Sequence, residues 1–443
     1  MFHRVQAVNA LAWALTLLLI AATPARAIGL LRDADIEYGL AQLAAPILRA
    51  SGLSPEQVRV LVVDDNTLNA FVADTQTIFI NAGLILKLNN ARSLQAVLAH
   101  EAAHIANGHI TRRAGNARTA RTAAGLGMVL AGAAAAAGQG RAAAGLAVGT
   151  ASSARGVFLG HTRAEEASAD QSSLRTMLRA GIDPQGAVEV MEIFRGQEAL
   201  SVGRQDPYML SHPLSRDRFR AMQAFVAGAG APPAPDGTAN YWFARIKGKL
   251  SAFARAPAWT LRRADEGPTK DIELIRKAAA YHKQSDATRA IKAIDGAIAL
   301  RPRDPFLLDL KGQILLESRR ADAAVQTLQQ AAALAPRDAL ILGGLGRAQL
   351  AAGNPRAALA TLEKARSRDF RDARILRDLG TAYAQDGQNG MASLVTAERY
   401  ALQGRLPDAE IHAKRAEALL ARGSGAWQRA QDVLNAAKQT QRR

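Results

Sequence analysis

The chain has 443 residues, no cysteine, and 56 Lys and Arg against 39 Asp and Glu, a formal net charge of +17. Without cysteine there can be no disulfides, no thiolate metal ligands and no lipid-bearing cysteine. So basic a balance suits acidic partners, such as an anionic membrane face or acidic polypeptides, and the export signal described next argues against nucleic acid.

Arg4, the apolar run 10–22 and Ala25-Arg26-Ala27 read as a secretory signal peptide over residues 1–27, cleaved after Ala27. The apolar run is shorter than the roughly 20 residues a membrane span needs. The expected compartment is the bacterial periplasm, with the protein soluble there or peripherally bound to a membrane. A leading helix is expected over 33–52. Val58–Val63 is rich in β-branched residues, and Leu68–Ala73 and Thr77–Asn81 read as paired strands.

The next segment is the most informative. Residues 100–104 are His-Glu-Ala-Ala-His, in a helix that Asn89 or Asn90 can cap and that Leu94, Val97, Leu98 and Ile105 make apolar along one side. His100 and His104, one turn apart, project from nearly the same face. They can share one zinc ion and leave a position open for water, which Glu101 can reach as a general base. A third protein ligand is needed. His109 is five residues past His104, about 140° further around a continuing helix. The pattern with Gly three residues after the second His and a third His three further on fails, because Asn107 and Ile110 stand there.

Residues 123–152 are dominated by Ala and Gly. They are expected to form a close-packed helical hairpin, made mobile by its glycines. The alternative is a lid that covers the cleft or touches the membrane. In Arg163-Ala-Glu-Glu-Ala-Ser-Ala-Asp170, Glu166 and Asp170 are four apart and share a helix face. One carboxylate can bind metal while the other accepts the ring N–H of a ligand histidine.

His100-Glu-Ala-Ala-His104 followed by Glu166-Ala-Ser-Ala-Asp170 resembles the HtpX-related gluzincin peptidases, and Arg163 fits the same motif. Ser211-His-Pro-Leu-Ser-Arg-Asp-Arg218 is similar to the His-Pro segment of that family's periplasmic, TPR-bearing, BepA-like branch. Asn69-Ala-Phe71 and Ile78-Phe-Ile-Asn81 resemble its strand pair. The resemblance implies an α+β zincin-like metallopeptidase domain holding one Zn2+ per chain through His100, His104 and Glu166. It assigns Glu101 and Asp170 to the catalytic machinery, with Asp170 orienting a ligand histidine. It makes His212 a reversible fourth zinc ligand that keeps the enzyme latent. The sheet edge Asn69–Asp74, with Asn69, Ala70 and Phe71 at its start, becomes the candidate substrate-binding strand. An edge engages backbone, so unfolded or extended polypeptides are the expected substrates. The implied clients are misfolded or stalled outer-membrane proteins, and the implied partner is the barrel-assembly machinery. Arg216 and Arg218 are the candidates for stabilising an oxyanion.

Gly228–Gly237 is Pro-rich and loose, and Tyr241–Leu250 follows as a basic amphipathic helix. That helix is expected to pack two domains together, with binding to an acidic surface as the alternative. Beyond it the chain repeats every 34 residues. Gly312, Gly346 and Gly380 are in phase, as are Ala290, Ala324, Ala358 and Ala392, and as are Ala297, Ala331 and Ala365. This is the period of tetratricopeptide (TPR) repeats, helix pairs whose small residues let neighbours approach and whose arrays grip peptides on a concave face. After Gly387 the spacing changes, and Ala397–Gly404 and Pro407–Arg422 read as further stacked helices. The expected domains are 28–230 for the metallopeptidase, 231–270 for a linker and connecting helix, and 271–443 for an all-α TPR solenoid. A periplasmic zinc endopeptidase with TPR-mediated recruitment is the reading these features favour. The competing one is a chaperone-like TPR scaffold whose zinc site is structural or inert.

Overall fold

The structure, a computed structural model, describes residues 29–112, 162–197, 204, 206–213 and 215–441. The expected signal peptide and the expected Ala/Gly-rich hairpin at 123–152 lie outside the described residues.

The N-terminal unit is α+β, as expected. Its elements are β1 (Leu30–Leu31), α1 (Ala34–Ala50), β2 (Arg59–Val63), β3 (Ala70–Val72), β4 (Thr77–Asn81), α2 (Ala82–Lys87) and α3 (Ala91–Ala106), then α4 (Thr162–Arg179), α5 (Gln185–Phe194), α6 (Pro207–Ser211) and α7 (Arg216–Gly228). The strands form one sheet in the order β1-β2-β4-β3. β2 and β4 are parallel, with Val60 opposite Ile78, while β3 and β4 are antiparallel, with Phe71 opposite Phe79. β3 is therefore an edge. The alternation in β4 decides which face meets the core: Ile78 and Ile80 are fully buried against α1 and α3, while Phe79 stacks on Phe71 across the other face at 5.2 Å.

α8 (Gly237–Ala254) joins this unit to the repeats, followed by α9 (Pro257–Arg262). Its basic residues face inward. Arg245 is buried, with Nε 2.8 Å from Asp35 and Nη1 2.6 Å from Asp304, and buried Lys249 lies 2.8 Å from Asp33. Tyr38 of α1, Trp242 of α8 and Phe306 of the repeats form an aromatic chain with centroids 5.2 and 4.8 Å apart. The basic helix is thus an inter-domain strut, and its charges are satisfied within the molecule.

The repeats are the antiparallel pairs α10 (Lys270–Lys283) with α11 (Ala287–Leu300), α12 (Pro305–Glu317) with α13 (Ala321–Leu334), α14 (Ala339–Ala351) with α15 (Pro355–Arg368) and α16 (Ala373–Gln385) with α17 (Asn389–Leu402). α18 (Leu406–Leu419) and α19 (Gly425–Gln441) follow. The 34-residue phase has a direct cause in packing. A Cβ on Gly312 would lie 2.4 Å from Leu328 Cγ, and one on Gly346 would lie 2.4 Å from Leu362 Cγ, the same contact one repeat later. At Gly380 the nearest neighbours are 3.3–3.4 Å away, and Ala392 is only partly buried where Ala290, Ala324 and Ala358 are fully so. The period loosens there because the packing does.

The first helices of the pairs line the inner surface of the array, and part of that surface is covered by the chain itself. Leu31, Arg32, Asp33 and Ile36 face Asp309, Leu340, Gly343 and Asp372 around a cavity of about 440 Å3. Arg32 reaches Asp369 at 2.7 Å and Asp372 at 3.2 Å, and Arg59 reaches Asp369 at 2.9 Å. Part of the concave face is thus occupied within the molecule: the start of the peptidase unit is seated on it.

Candidate metal centre

α3 carries the His-Glu-Ala-Ala-His segment, and its start is fixed in three ways. Asn90 caps it by accepting from Ser93 N–H at 2.9 Å. Arg92 pairs with Asp183 at 2.5 Å and with Glu189. Gly186 lets α5 press on it, since a Cβ there would meet the Arg92 carbonyl oxygen at 2.4 Å.

The functional side chains meet between α3, α4 and the turn after α6. Glu166 and Asp170 face α3 from α4. Glu166 Oε2 lies 3.3 Å from His100 Nε2 and Oε1 lies 3.3 Å from His104 Nε2, while Asp170 Oδ1 lies 3.2 Å from His100 Nδ1. His212 follows α6, and its Nδ1 lies 3.1 Å from Glu166 Oε2 and 3.2 Å from His100 Nε2. His104 Nε2 and His100 Nε2 are 3.1 Å apart. All are buried, as is Glu101, whose Oε1 is 3.4 Å from His212 Nε2.

The donor set fits a divalent metal. One atom each from His100, His104, Glu166 and His212 lies within 4.8 Å of the others. Ring nitrogens this close repel unless a proton or a cation sits among their lone pairs. The outer nitrogens say where the hydrogens are. His100 Nδ1 faces the Asp170 carboxylate and His212 Nε2 faces the Ala70 carbonyl at 3.3 Å, both acceptors. Those two nitrogens donate, so His100 Nε2 and His212 Nδ1 keep their lone pairs for the centre. Three imidazoles and a carboxylate without sulfur suit zinc among the common ions.

The electrostatics agree. Burial works against a charge on His100, but Asp170 and Glu166 outweigh it and raise the ring to about 10. Burial, together with the neighbouring His100 and His212, pushes His104 down to about 3. Burial works against ionising Glu166, and the three imidazoles overcome it and hold the group far below the carboxylate range. Positive charge is favoured on the His100 ring and disfavoured on the His104 ring, and a bound cation would supply positive charge beside Glu166 without a proton on His104.

The sequence placed His100, Glu101, His104, Glu166, Asp170 and His212 at candidate positions, and the fold brings all six together. Asn69, Ala70 and Phe71 lie on or beside the edge strand β3, alongside the centre through the Ala70 carbonyl. Arg218 differs from expectation. Its Nε and Nη2 hold Asp170 at 2.6 and 2.8 Å and its Nη1 lies 3.2 Å from Glu166, so it braces carboxylates and is not free to meet an oxyanion. Arg216 is exposed on the first turn of α7. Tyr208 was missed, and His109 was weighed only as a metal ligand, which it is not in the cluster of four donors. Tyr208 lies flat against Phe194 at 4.7 Å and leans on the His212 ring at 4.7 Å, supporting it from below. His109 lies 3.0 Å from His104. Asn107-Gly108, a helix-stop pair, was the available signal, because the 140° estimate assumed a helix that continues.

A two-histidine helix over a small sheet, with a carboxylate from the following helix, defines a zincin-type metallopeptidase domain. Residues 31–226 match the model of Peptidase family M48 and residues 315–379 that of a tetratricopeptide repeat. The chain carries an M48 peptidase domain followed by TPR repeats. Among curated relatives, the Beta-barrel assembly-enhancing protease of Escherichia coli is 24% identical over 271 residues, covering 59% of this chain and 54% of that protein. The Putative beta-barrel assembly-enhancing protease of Vibrio cholerae is 28% identical over 224 residues, 43% of each chain. The Mitochondrial metalloendopeptidase OMA1 of Schizosaccharomyces pombe is 28% identical over 183 residues, 41% of this chain and 51% of that one. The chain spans about half the length of the curated relatives it matches.

Proposed function

We propose that the chain is a zinc-dependent endopeptidase of the bacterial periplasm, latent at rest, that degrades misfolded or stalled outer-membrane proteins. The observation that carries this reading is the convergence of His100, His104, Glu166 and His212 beside the buried carboxylate of Glu101. Zinc held by His100, His104 and Glu166 would supply a Lewis acid for the scissile carbonyl and for the attacking water. Glu101 takes a proton from that water and returns it to the leaving amine. Asp170 holds the Nδ1 proton of His100 and so keeps Nε2 turned toward the other donors, where it would bind a metal, and Arg218 in turn holds Asp170.

Latency follows from His212 and the segment before it. The Tyr208 N–H donates to the Leu68 carbonyl at 3.1 Å, and His212 Nε2–H donates to the Ala70 carbonyl, so 208–212 rests on the β3 side of the sheet. That is where an extended substrate would add its backbone. His212 would thus fill the fourth position around a bound metal while its segment occupies the substrate edge, and both would open together when a client displaces it. The periplasmic assignment rests on the N-terminal segment, residues 1–27. Among the described residues no helix is long and apolar enough to cross a membrane. Recruitment, with the barrel-assembly machinery as the proposed partner, falls to the repeat surfaces that the chain's own start leaves uncovered. The domain limits stay at 28–230, 231–270 and 271–443.

The second reading, a TPR scaffold with an inert zinc site, is favoured by one observation: with His212 in place the centre has four protein donors, the closed set of a structural site. Casein cleavage by residues 28–443 carrying His212→Ala separates the two, with His212→Ala/Glu101→Gln as control. Cleavage that disappears in the double variant is the expected result. A zinc-loaded, folded His212→Ala protein without activity would establish the scaffold instead.

A further inference from the structure

We infer that His109 is a positioning residue for the metal centre, the acceptor that fixes the ring and tautomer of His104; this rests on reading the cluster as a metal site. The backbone makes the contact. α3 stops at Asn107, Gly108 takes φ +69°, and helix resumes at His109. A left-handed residue at this point is easily adopted by glycine, and it turns the chain back so that His109 comes under the helix it has just left. Its ring meets that of His104 edge-on, with centroids 5.0 Å apart at 73°, and the two Nδ1 atoms are 3.0 Å apart. Both side chains are buried, so water does not compete for this contact.

The direction of the hydrogen bond follows from the chemistry of the centre. His104 Nε2 faces Glu166 and His100 Nε2, and a nitrogen that gives its lone pair to a cation carries no hydrogen. The ring's proton is then on Nδ1 and points at His109 Nδ1, which must accept. The proton of neutral His109 is consequently on Nε2. The two α3 ligands are thus held differently: His100 by the anionic Asp170, His104 by a neutral imidazole. Glu166, Asp170 and Glu101 already bring three carboxylates to this buried space, opposed by Arg218. An uncharged acceptor orients the second ligand without adding a fourth negative charge. His109 itself stands outside the group of four converging donors.

The test is zinc affinity, measured on the full chain by competition with a chromophoric chelator, for wild type, His109→Asn, His109→Ala and His109→Leu. Asparagine places an amide oxygen close to where Nδ1 was and can accept; alanine and leucine cannot. Losing the acceptor should weaken zinc about 10–100-fold, the usual cost of removing a ligand's hydrogen-bond partner. The expected order is wild type, then asparagine within severalfold, then alanine and leucine together. The visible spectrum of the Co2+-loaded protein should change in the latter two and be largely restored in asparagine. Asparagine binding as poorly as alanine, or leucine binding as well as wild type, would overturn the role and leave only packing. A folded wild type that binds no zinc would overturn the metal centre as well, which distinguishes the two failures.

Discussion

Replacing Arg218 with leucine should destabilise the metal-free protein by about 3 kcal/mol, the low end of the ~3–5 kcal/mol lost when one member of a buried ion pair is removed. The structure sets the position within that range. Arg218 and Asp170 are both buried and joined through two charge-assisted bonds of 2.6 and 2.8 Å, and Arg218 also donates to the Pro213 carbonyl at 2.7 Å. Leucine fills most of the space and leaves Asp170 facing His100 at 3.2 Å, so the abandoned carboxylate keeps one favourable neighbour. A loss of about 3 kcal/mol is a fall of roughly 150-fold in the folded-to-unfolded ratio. The assay is urea unfolding at pH 7 in chelator, followed by circular dichroism. Arg218→Leu/Asp170→Leu should cost clearly less than the sum of the two single changes, because with Asp170 also gone the loss of Arg218 no longer strands that carboxylate. A single variant within 1 kcal/mol of wild type, or additive single changes, would refute the bracing role.

Asp309, on the inner face of the repeats, is raised to about 7, mainly by burial and by Asp33, Asp338 and Asp35 against the opposing pull of Lys249. An unfolded Asp titrates near 4, so the folded chain holds the extra proton between about pH 4 and 7 and loses that stability as pH rises through 7. Asp309→Asn should therefore gain on the order of 1–2 kcal/mol at pH 8, a value cut for the group's partial exposure, and the gain should shrink toward pH 4. Thermal melts at the two pH values check it, and equal shifts at both would count against it. Gly186→Ala should cost roughly 1–3 kcal/mol and weaken zinc, since its methyl meets the backbone of Arg92 and must push α5 off the start of α3. Unchanged melting and zinc affinity would show that the two helices can part without disturbing the centre.

The parts of the site carried by local spacing were legible in the chain. His100 and His104 fall on one face of α3, Glu166 and Asp170 on one face of α4, because a helix fixes what lies four residues apart. The strands at 59–63 and 77–81 and the 34-residue phase of the repeats were legible for the same reason. What could not be seen were contacts made across the chain. Arg32 meets Asp369 because the array curls around to the start of the peptidase unit, and periodicity tells which face is apolar but not what it will meet. Arg218 suggested a free cation near the reaction because nothing local shows that Asp170 claims it. His109 was hidden by a single backbone angle at Gly108, which changes where every later residue points.

Among the contacts that tie the repeats to the rest of the chain, two charged ones lie far apart along the array. Asp304, ahead of α12, holds Arg245, and Asp369, between α15 and α16, holds Arg32 and Arg59. The part of an arc held between two such points has a fixed chord. A stack of helix pairs changes its curvature by small rotations at each interface, and here those rotations cannot accumulate without pulling on the anchors. Arg59 opens β2, pairs with Thr77 on β4, and β4 carries the edge strand β3 on its other side. A partner that flattens or tightens the arc therefore loads the sheet directly, one strand away from the edge on which the segment bearing His212 rests.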